Sequence, residues 1–181
     1  CAAGSGNDEV TVSIYDADAP VANAGQDASV CGAASTVNLN ANAPTGPATG
    51  LWSVISGQAT LSDATDPQAV ASGLSVGETV LEWTIDNGPC GTSSDQVSIL
   101  VYDDNQSTAN AGADQSLCLP VNTATMSGSA YSFPGTGTWT LVSGSGTITD
   151  AASANTSITD LGVGENVFQW TEDNGPCGGT T

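Results

Sequence analysis

The sequence repeats itself at a fixed offset of 87 residues. Cys31 and Cys118, Cys90 and Cys177, Trp52 and Trp139, Trp83 and Trp170, and Tyr15 and Tyr102 all stand that far apart. Residues 15–94 slide onto 102–181 without a gap, with about two positions in five identical. The best-matched stretches are ANAGQDASVC (22–31) with ANAGADQSLC (109–118), and EWTIDNGPCG (82–91) with QWTEDNGPCG (169–178). A period of this size marks an array of structural units that stack on their neighbours. Cys1 followed by NDEVTVSIYDAD matches Cys90 followed by SDQVSILVYDDN, so residues 1–18 read as the C-terminal strand of a preceding module. Thr181 corresponds to Ser94, ahead of the counterpart of Asp95–Tyr102. The expected organisation is a module tail (1–18), a complete β-sandwich module (19–105) and a second module lacking its last strand (106–181), a window on a longer array.

Within each unit the apolar period is two. Val37-x-Leu39-x-Ala41, Leu81-x-Trp83-x-Ile85 and Val97-x-Ile99-x-Val101 alternate as half-buried strands do. Asn87-Gly88-Pro89, Ser56-Gly57 and the stretch from Ala43 to Pro47 are turn chemistries, and nothing shows helical periodicity. Strands are predicted at about 27–31, 36–42, 50–56, 58–62, 67–72, 78–86 and 95–102. Seven short strands per repeat predict an all-β fold: tandem Ig-like antiparallel β-sandwich modules arranged end to end. At about 3.3 Å per strand residue, plus loops, such a module rises roughly 35 to 40 Å.

Charge narrows the function. The chain has no Lys, Arg or His against 19 Asp and Glu. Nucleic-acid binding needs basic side chains to neutralise phosphates, so it is excluded. Cationic phosphate clamps, His-based acid–base chemistry and intrachain salt bridges are excluded with it. Anionic membranes repel such a chain, and it lacks the roughly 20 consecutive apolar residues of a membrane span. Carboxylate pairs drawn from Glu78, Glu82, Asp63 and Asp86 lack the deep cleft that glycoside cleavage needs, and read as solvated surface. With no His or Lys base, nothing activates a Ser or Thr nucleophile, so the chain is not expected to be an enzyme. Asn105-Gln106-Ser107 and Asn155-Thr156-Ser157 fit the N-glycosylation pattern but matter only in a eukaryotic secretory pathway.

Each repeat encloses two cysteines 59 positions apart, and paired Cys without His argue for disulfides in an oxidising, extracellular setting. The expected bridges are Cys31–Cys90 and Cys118–Cys177, each pinning a loop to the first strand of its own module. Cys1 is expected unpaired, its partner lying upstream; an acylated lipoprotein Cys1 is the weaker explanation. Trp52 and Trp83 read as core side chains, with a carbohydrate-stacking platform as the rival that needs an exposed indole face. Asp16-Ala17-Asp18 and Asp103-Asp104-Asn105 fall at equivalent positions where one module hands over to the next. Oxygen ligands suit Ca²⁺, which makes Asp16, Asp18, Asp103 and Asp104 candidate calcium ligands at the joints; a hydrated linker is the alternative, since the spacing is not that of an EF-hand loop.

ANAGxDxSxC opening a module, GTWTLVSGSGTITD in its middle and GVGENVFQWTEDNGPCG near its end resemble the PKD-like or Ig-like repeats of giant surface adhesins of Bacteroidota, including SprB-like gliding-motility adhesins. The resemblance covers nearly the whole chain. It implies an extracellular rod exported by the type IX system and displayed on the cell surface, and it brings no catalytic residues. The leading expectation is a structural stalk whose partners are neighbouring modules of the same chain, surface polysaccharide or other adhesin strands. The alternative is a lectin-like, carbohydrate-binding module of a secreted protein. An isolated strand, Val10-x-Val12-x-Ile14, precedes the first module and the second lacks its equivalent. A chain that continues in both directions explains this better than strand exchange between chains.

Overall fold

The strands form where β-branched and aromatic residues alternate with small polar ones, and the turns fall at the Gly- and Pro-rich breaks. The computed structural model describes residues 7–106 and 108–178. In the first repeat the strands are β1 (Ala28–Cys31), β2 (Val37–Asn38), β3 (Thr49–Ser56), β4 (Thr60–Leu61), β5 (Val70–Ser72), β6 (Gly77–Asp86) and β7 (Thr92–Tyr102). In the second they are β8 (Ala124–Thr125), β9 (Thr136–Ser143), β10 (Thr147–Ile148), β11 (Ser157–Thr159) and β12 (Val167–Asp173). A 3-10 turn follows the long strand of each repeat, Gly88–Cys90 and Gly175–Cys177. Each predicted strand of the first repeat is present, and β8 to β11 fall 87 residues after β2 to β5.

One sheet of the first repeat has the order β1-β7-β6-β3 and the facing sheet β2-β5-β4. Leu81, Trp83 and Ile85 of β6 point inward with Val97, Ile99 and Val101 of β7, and cluster with Ala71 of β5 and with Ala69 just before it. These six large side chains are each 3% exposed or less, and each such burial stabilises by about 1.5 to 3 kcal/mol. Trp52 pairs directly with Trp83 across β3 and β6, as Trp139 does with Trp170 across β9 and β12. Ring centroids are 5.1 Å apart in both pairs, a cross-strand aromatic contact that ties the long hairpin to the core. Gly50 and Gly137 make room for it, because a Cβ at either would overlap the Trp83 or Trp170 ring.

One pairing departs from the antiparallel expectation. β1 runs parallel to β7, with Ala28 opposite Ile99 and Cys31 opposite Tyr102, while the other pairings are antiparallel. First and last strands of the repeat therefore run the same way, from the upstream end of the unit to its downstream end. Gly88–Cys90, which joins β6 to β7, lies at the upstream end.

Candidate functional site at the joint between repeats

The parallel β1–β7 pair decides what each cysteine can reach. Cys31 is in register with Tyr102 at the downstream end of β7, whereas Cys90 lies just before Thr92 at the start of that 11-residue strand. At about 3.3 Å per residue the two ends are roughly 35 Å apart. A disulfide requires Cα atoms within about 7 Å, so the expected Cys31–Cys90 bridge is incompatible with this sheet. Cys31 is bonded instead to Cys177 of the next repeat, with Cα atoms 5.0 Å apart and 146 positions between them. The expected Cys118–Cys177 bridge is replaced by the same bond. Cys90 and Cys118 carry free, exposed thiols. Cys1 lies outside the described residues, and so does the expectation about its pairing.

The bridge sits within a joint built from both repeats. Tyr102 ends β7, and Gly32 donates its backbone N–H to Tyr102 O over 2.9 Å. The 3-10 turn of the second repeat caps this end. Asn174 Nδ2 donates to Asp103 O at 2.6 Å, and Cys177 Sγ lies 3.7 Å from Tyr102 O. Gly175, at φ +48°, packs flat on the Tyr102 ring; a Cβ there would lie 2.5 Å from a ring carbon. The same pattern recurs upstream, where Asn87 Nδ2 donates to Asp16 O at 2.8 Å and a Cβ on Gly88 would lie 2.7 Å from the Tyr15 ring.

A buried carboxylate lies beside the downstream joint. Glu172 is 2% exposed and occupies the place of Ile85 in the first repeat. It accepts hydrogen bonds from Trp170 Nε1 at 3.1 Å, from Gln106 Nε2 at 3.1 Å and from Ser129 Oγ. Burial pushes the carboxyl up, yet the Ser129, Gln106 and Trp170 donors outweigh it and hold Glu172 below its ordinary value. Gln106 comes from the linker, and its Oε1 also accepts from Ser132 N at 3.4 Å. The network thus ties the linker to the second repeat. Composition pointed only to surface carboxylates; the signal for this one was the Ile85-to-Glu172 difference inside otherwise matching EWTIDNGPCG and QWTEDNGPCG.

The joint aspartates serve mainly as turn formers. Asp16 Oδ1 accepts from Asp18 N and Asp103 Oδ1 from Asn105 N, both at 2.9 Å, and Asp104 Oδ1 accepts from Asn105 Nδ2 at 2.8 Å. Among the described residues no three His, Cys, Asp or Glu side chains are grouped so as to hold a metal ion. Among the same residues no helix is long and apolar enough to cross a membrane. All four tryptophans are 3% exposed or less, so none offers an indole face for stacking on a sugar. Asp63, one of the carboxylates weighed for catalysis, accepts from Thr65 N and Oγ1 at 2.8 Å, which lowers its pKa.

The second repeat is open where β7 closes the first. A cleft of about 770 Å³ runs between residues 111–126 and 161–168. Residues 115–118, the counterpart of β1, form no strand and are exposed.

Residues 111–175 match the family model of the K319L-like PKD domain. No curated protein matches the sequence. Among solved structures, the chain is similar to the PKD domain from the KIAA 1837 protein, with 19% identity over 57% of this chain and 98% of that one and a TM-score of 0.41. It is also similar to the N-terminal eight Ig domains of Down Syndrome Cell Adhesion Molecule, with 11% identity over 87% of this chain and 26% of that one and a TM-score of 0.38. For the insect immune protein hemolin the identity is 13%, over 88% of this chain and 44% of that one, with a TM-score of 0.39. The chain is an all-β protein of two like repeats, the second of them PKD-like in sequence.

Proposed function

We propose that the chain is a stretch of stalk from a long, acidic, extracellular protein of the cell surface, an adhesin or filament of the gliding-motility type, in which consecutive repeats are stapled end to end. The observation that carries this reading is the Cys31–Cys177 bridge, which joins one repeat to the next and leaves neither closed on itself. A covalent clamp across a joint resists bending and separation, the demands placed on a stalk and not on a catalytic unit. The oxidised pair supports an extracellular location. The charge of -19 keeps neighbouring stalks apart to about a Debye length, roughly 8 Å at physiological salt. Its lack of Lys and Arg also offers trypsin-like proteases no cleavage site.

The reading is tested by the chain's shape and its response to reduction. Small-angle scattering from the oxidised protein should fit a rod rising roughly 35 to 40 Å per repeat, and reduction should let the two repeats swing about the 103–109 linker. Scattering that fits side-by-side packing overturns it. Titration with polysaccharides, followed by Trp fluorescence, addresses the carbohydrate-binding alternative; no saturable quenching is expected. If Ca²⁺ adds to the joint at Asp16, Asp18, Asp103 and Asp104, chelation increases the same flexibility, and an unchanged profile removes the ion from the account.

A further inference from the structure

Each repeat ends its long strand in Asp-Asn-Gly-Pro-Cys, at Asp86–Cys90 and Asp173–Cys177. An asparagine loses ammonia most readily at an Asn–Gly step, because glycine puts no Cβ in the way of its own backbone nitrogen, which can then close on the asparagine Cγ. Both repeats lock this step in the same way. ψ is 31° at Asn87 and 35° at Asn174, which turns the glycine nitrogen away from Cγ, whereas ring closure needs it eclipsed with Cβ. Gly88 N and Gly175 N donate to Asp86 Oδ1 and Asp173 Oδ1 at 2.8 and 2.9 Å. The amide nitrogens that would leave are engaged as well, Asn87 Nδ2 by Asp16 O at 2.8 Å and Asn174 Nδ2 by Asp103 O at 2.6 Å. Oδ1 of both asparagines is buried with no hydrogen-bond partner among the described residues, so each amide grips its joint through Nδ2. At Asn174, which is 7% exposed, the lock spans two repeats: Asp103 O and the Tyr102 ring that covers Gly175 come from the end of the first, and the bond from Cys177 to Cys31 holds the turn against them.

We propose that Asn174 is a deamidation site kept closed by the joint. While the Cys31–Cys177 bridge holds the Gly175–Cys177 turn on Tyr102 and Asp103 the amide is stable; when the turn lets go, Asn174 is converted and the joint does not close again. In the reaction Gly175 N bonds to Asn174 Cγ, the Cγ–Nδ2 bond breaks, and the amide leaves as ammonia, carrying the Gly175 proton. Water then opens the cyclic imide at either carbonyl, leaving aspartate or isoaspartate. One water enters, one ammonia leaves, and nothing is oxidised or reduced. Only the opened turn can rotate ψ into the reactive range, so the rate follows the population of that local opening. The product sets a charged acceptor where Asp103 O needs a donor, and two acceptors facing one another do not bond. The site therefore records, irreversibly, that a joint has opened. The inference concerns the joint itself and does not require the stalk reading.

The test is to age the full chain at mildly alkaline pH with and without dithiothreitol and to follow Asn174 and Asn87 by peptide mass mapping, using a protease specific for acidic residues because the chain has no Lys or Arg. Reduction should speed conversion of Asn174 about tenfold, a loosening of ~1.4 kcal/mol. Asn87, whose turn lies at the other end of β7, serves as the reference within the same molecule and should keep its rate. Tyr102→Ala retains both cysteines and should speed conversion of Asn174 in the oxidised chain, which decides the matter even where reduction unfolds the second repeat. Asn174→Asp installs the product, and its bridge should be reduced by dithiothreitol about tenfold faster than the parent's. The proposal is overturned if Asn174 converts in the oxidised parent as fast as in the urea-unfolded chain, if Tyr102→Ala leaves its rate unchanged, if reduction speeds Asn87 equally, or if the bridge of Asn174→Asp is no easier to reduce.

Discussion

The two repeats share about two residues in five and nearly the same strand register, yet they differ in how much core they bury. In the first, fourteen apolar residues form one buried cluster; in the second, among the described residues, the buried apolar side chains are Pro134, Trp139, Ile158 and Trp170. The difference follows from β7. Residues 115–118 match Ala28–Cys31 in sequence but form no strand, because β1 has β7 as its sole ladder partner. The upstream part of β6 depends on β7 in the same way: Gly77, Glu78 and Thr79 pair only with it, and β12 begins at Val167, not at the counterpart of Gly77. Leu81 is fully buried while its counterpart Phe168 is only half-buried.

What holds the lesser core in place is the joint, and removing the bridge is the strongest way to break the comparison. Cys31→Ser frees a loop of 146 positions, worth roughly 5 kcal/mol in the chain-entropy model. The second repeat should lose most of that, its melting temperature falling well below that of the first repeat, followed by differential hydrogen exchange at Trp139 and Trp52. Equal loss in both repeats would show that the second does not lean on the bridge.

The next largest effect makes the first repeat resemble the second. Ile99 is fully buried on β7, and Ile99→Ala should cost about 2 to 5 kcal/mol. Amide protection should fall at Ala28–Cys31 and Gly77–Thr79, the segments whose counterparts are unpaired, and persist at Trp52 and Trp83. Protection lost uniformly across the repeat would mean that β7 holds no separable unit.

Much of this was legible before any coordinates. Alternation in Leu81-x-Trp83-x-Ile85 and Val97-x-Ile99-x-Val101 placed the long strands, and the 87-residue offset placed their copies. The disulfide pairing was misread because the two cysteines of a repeat were treated as neighbours in space. Cys31 ends a first strand and Cys90 sits in the turn before the last one. In a unit whose chain passes from one end to the other, those strands run parallel and put the two thiols at opposite ends. That inference needed the direction of β1, which a four-residue strand does not announce by its own pattern. Glu172 was missed for a different reason: its burial depends on Ser129, Gln106 and Trp170, three donors scattered over the sequence.

Exchanging the one core position at which the repeats differ in charge sharpens the comparison further. Glu172→Ile installs the first repeat's residue but leaves Trp170 Nε1, Gln106 Nε2 and Ser129 Oγ without their acceptor, which should cost about 1 to 3 kcal/mol. The reverse change, Ile85→Glu, brings a carboxylate into a core where the Trp83 Nε1 and Asn42 Nδ2 donors are already engaged by Asn42 O and Val21 O, and should cost more. Thermal unfolding of both variants checks the order; a neutral Glu172→Ile would mean that water already satisfies the three donors.

The smallest effect is in acid, and its sign can be worked out. Glu172 is held below its ordinary value of about 4.5, so in the folded protein it gives up its proton more readily than in the unfolded chain. Its contribution is therefore complete above about 4.5 and is lost as pH falls through the lowered folded value. Ile85 makes no such contribution, so the loss belongs to the second repeat. Protonation of the other carboxylates acts the opposite way, relieving the repulsion among charges totalling -19. The two are separated by comparing the parent with Glu172→Gln, which keeps the shape and removes the titration. The parent's advantage in melting temperature should hold steady near neutral pH and shrink toward zero as acid protonates Glu172. If the two curves stay parallel down to pH about 3, the hydrogen bonds from Ser129, Gln106 and Trp170 do not depend on the charge they surround.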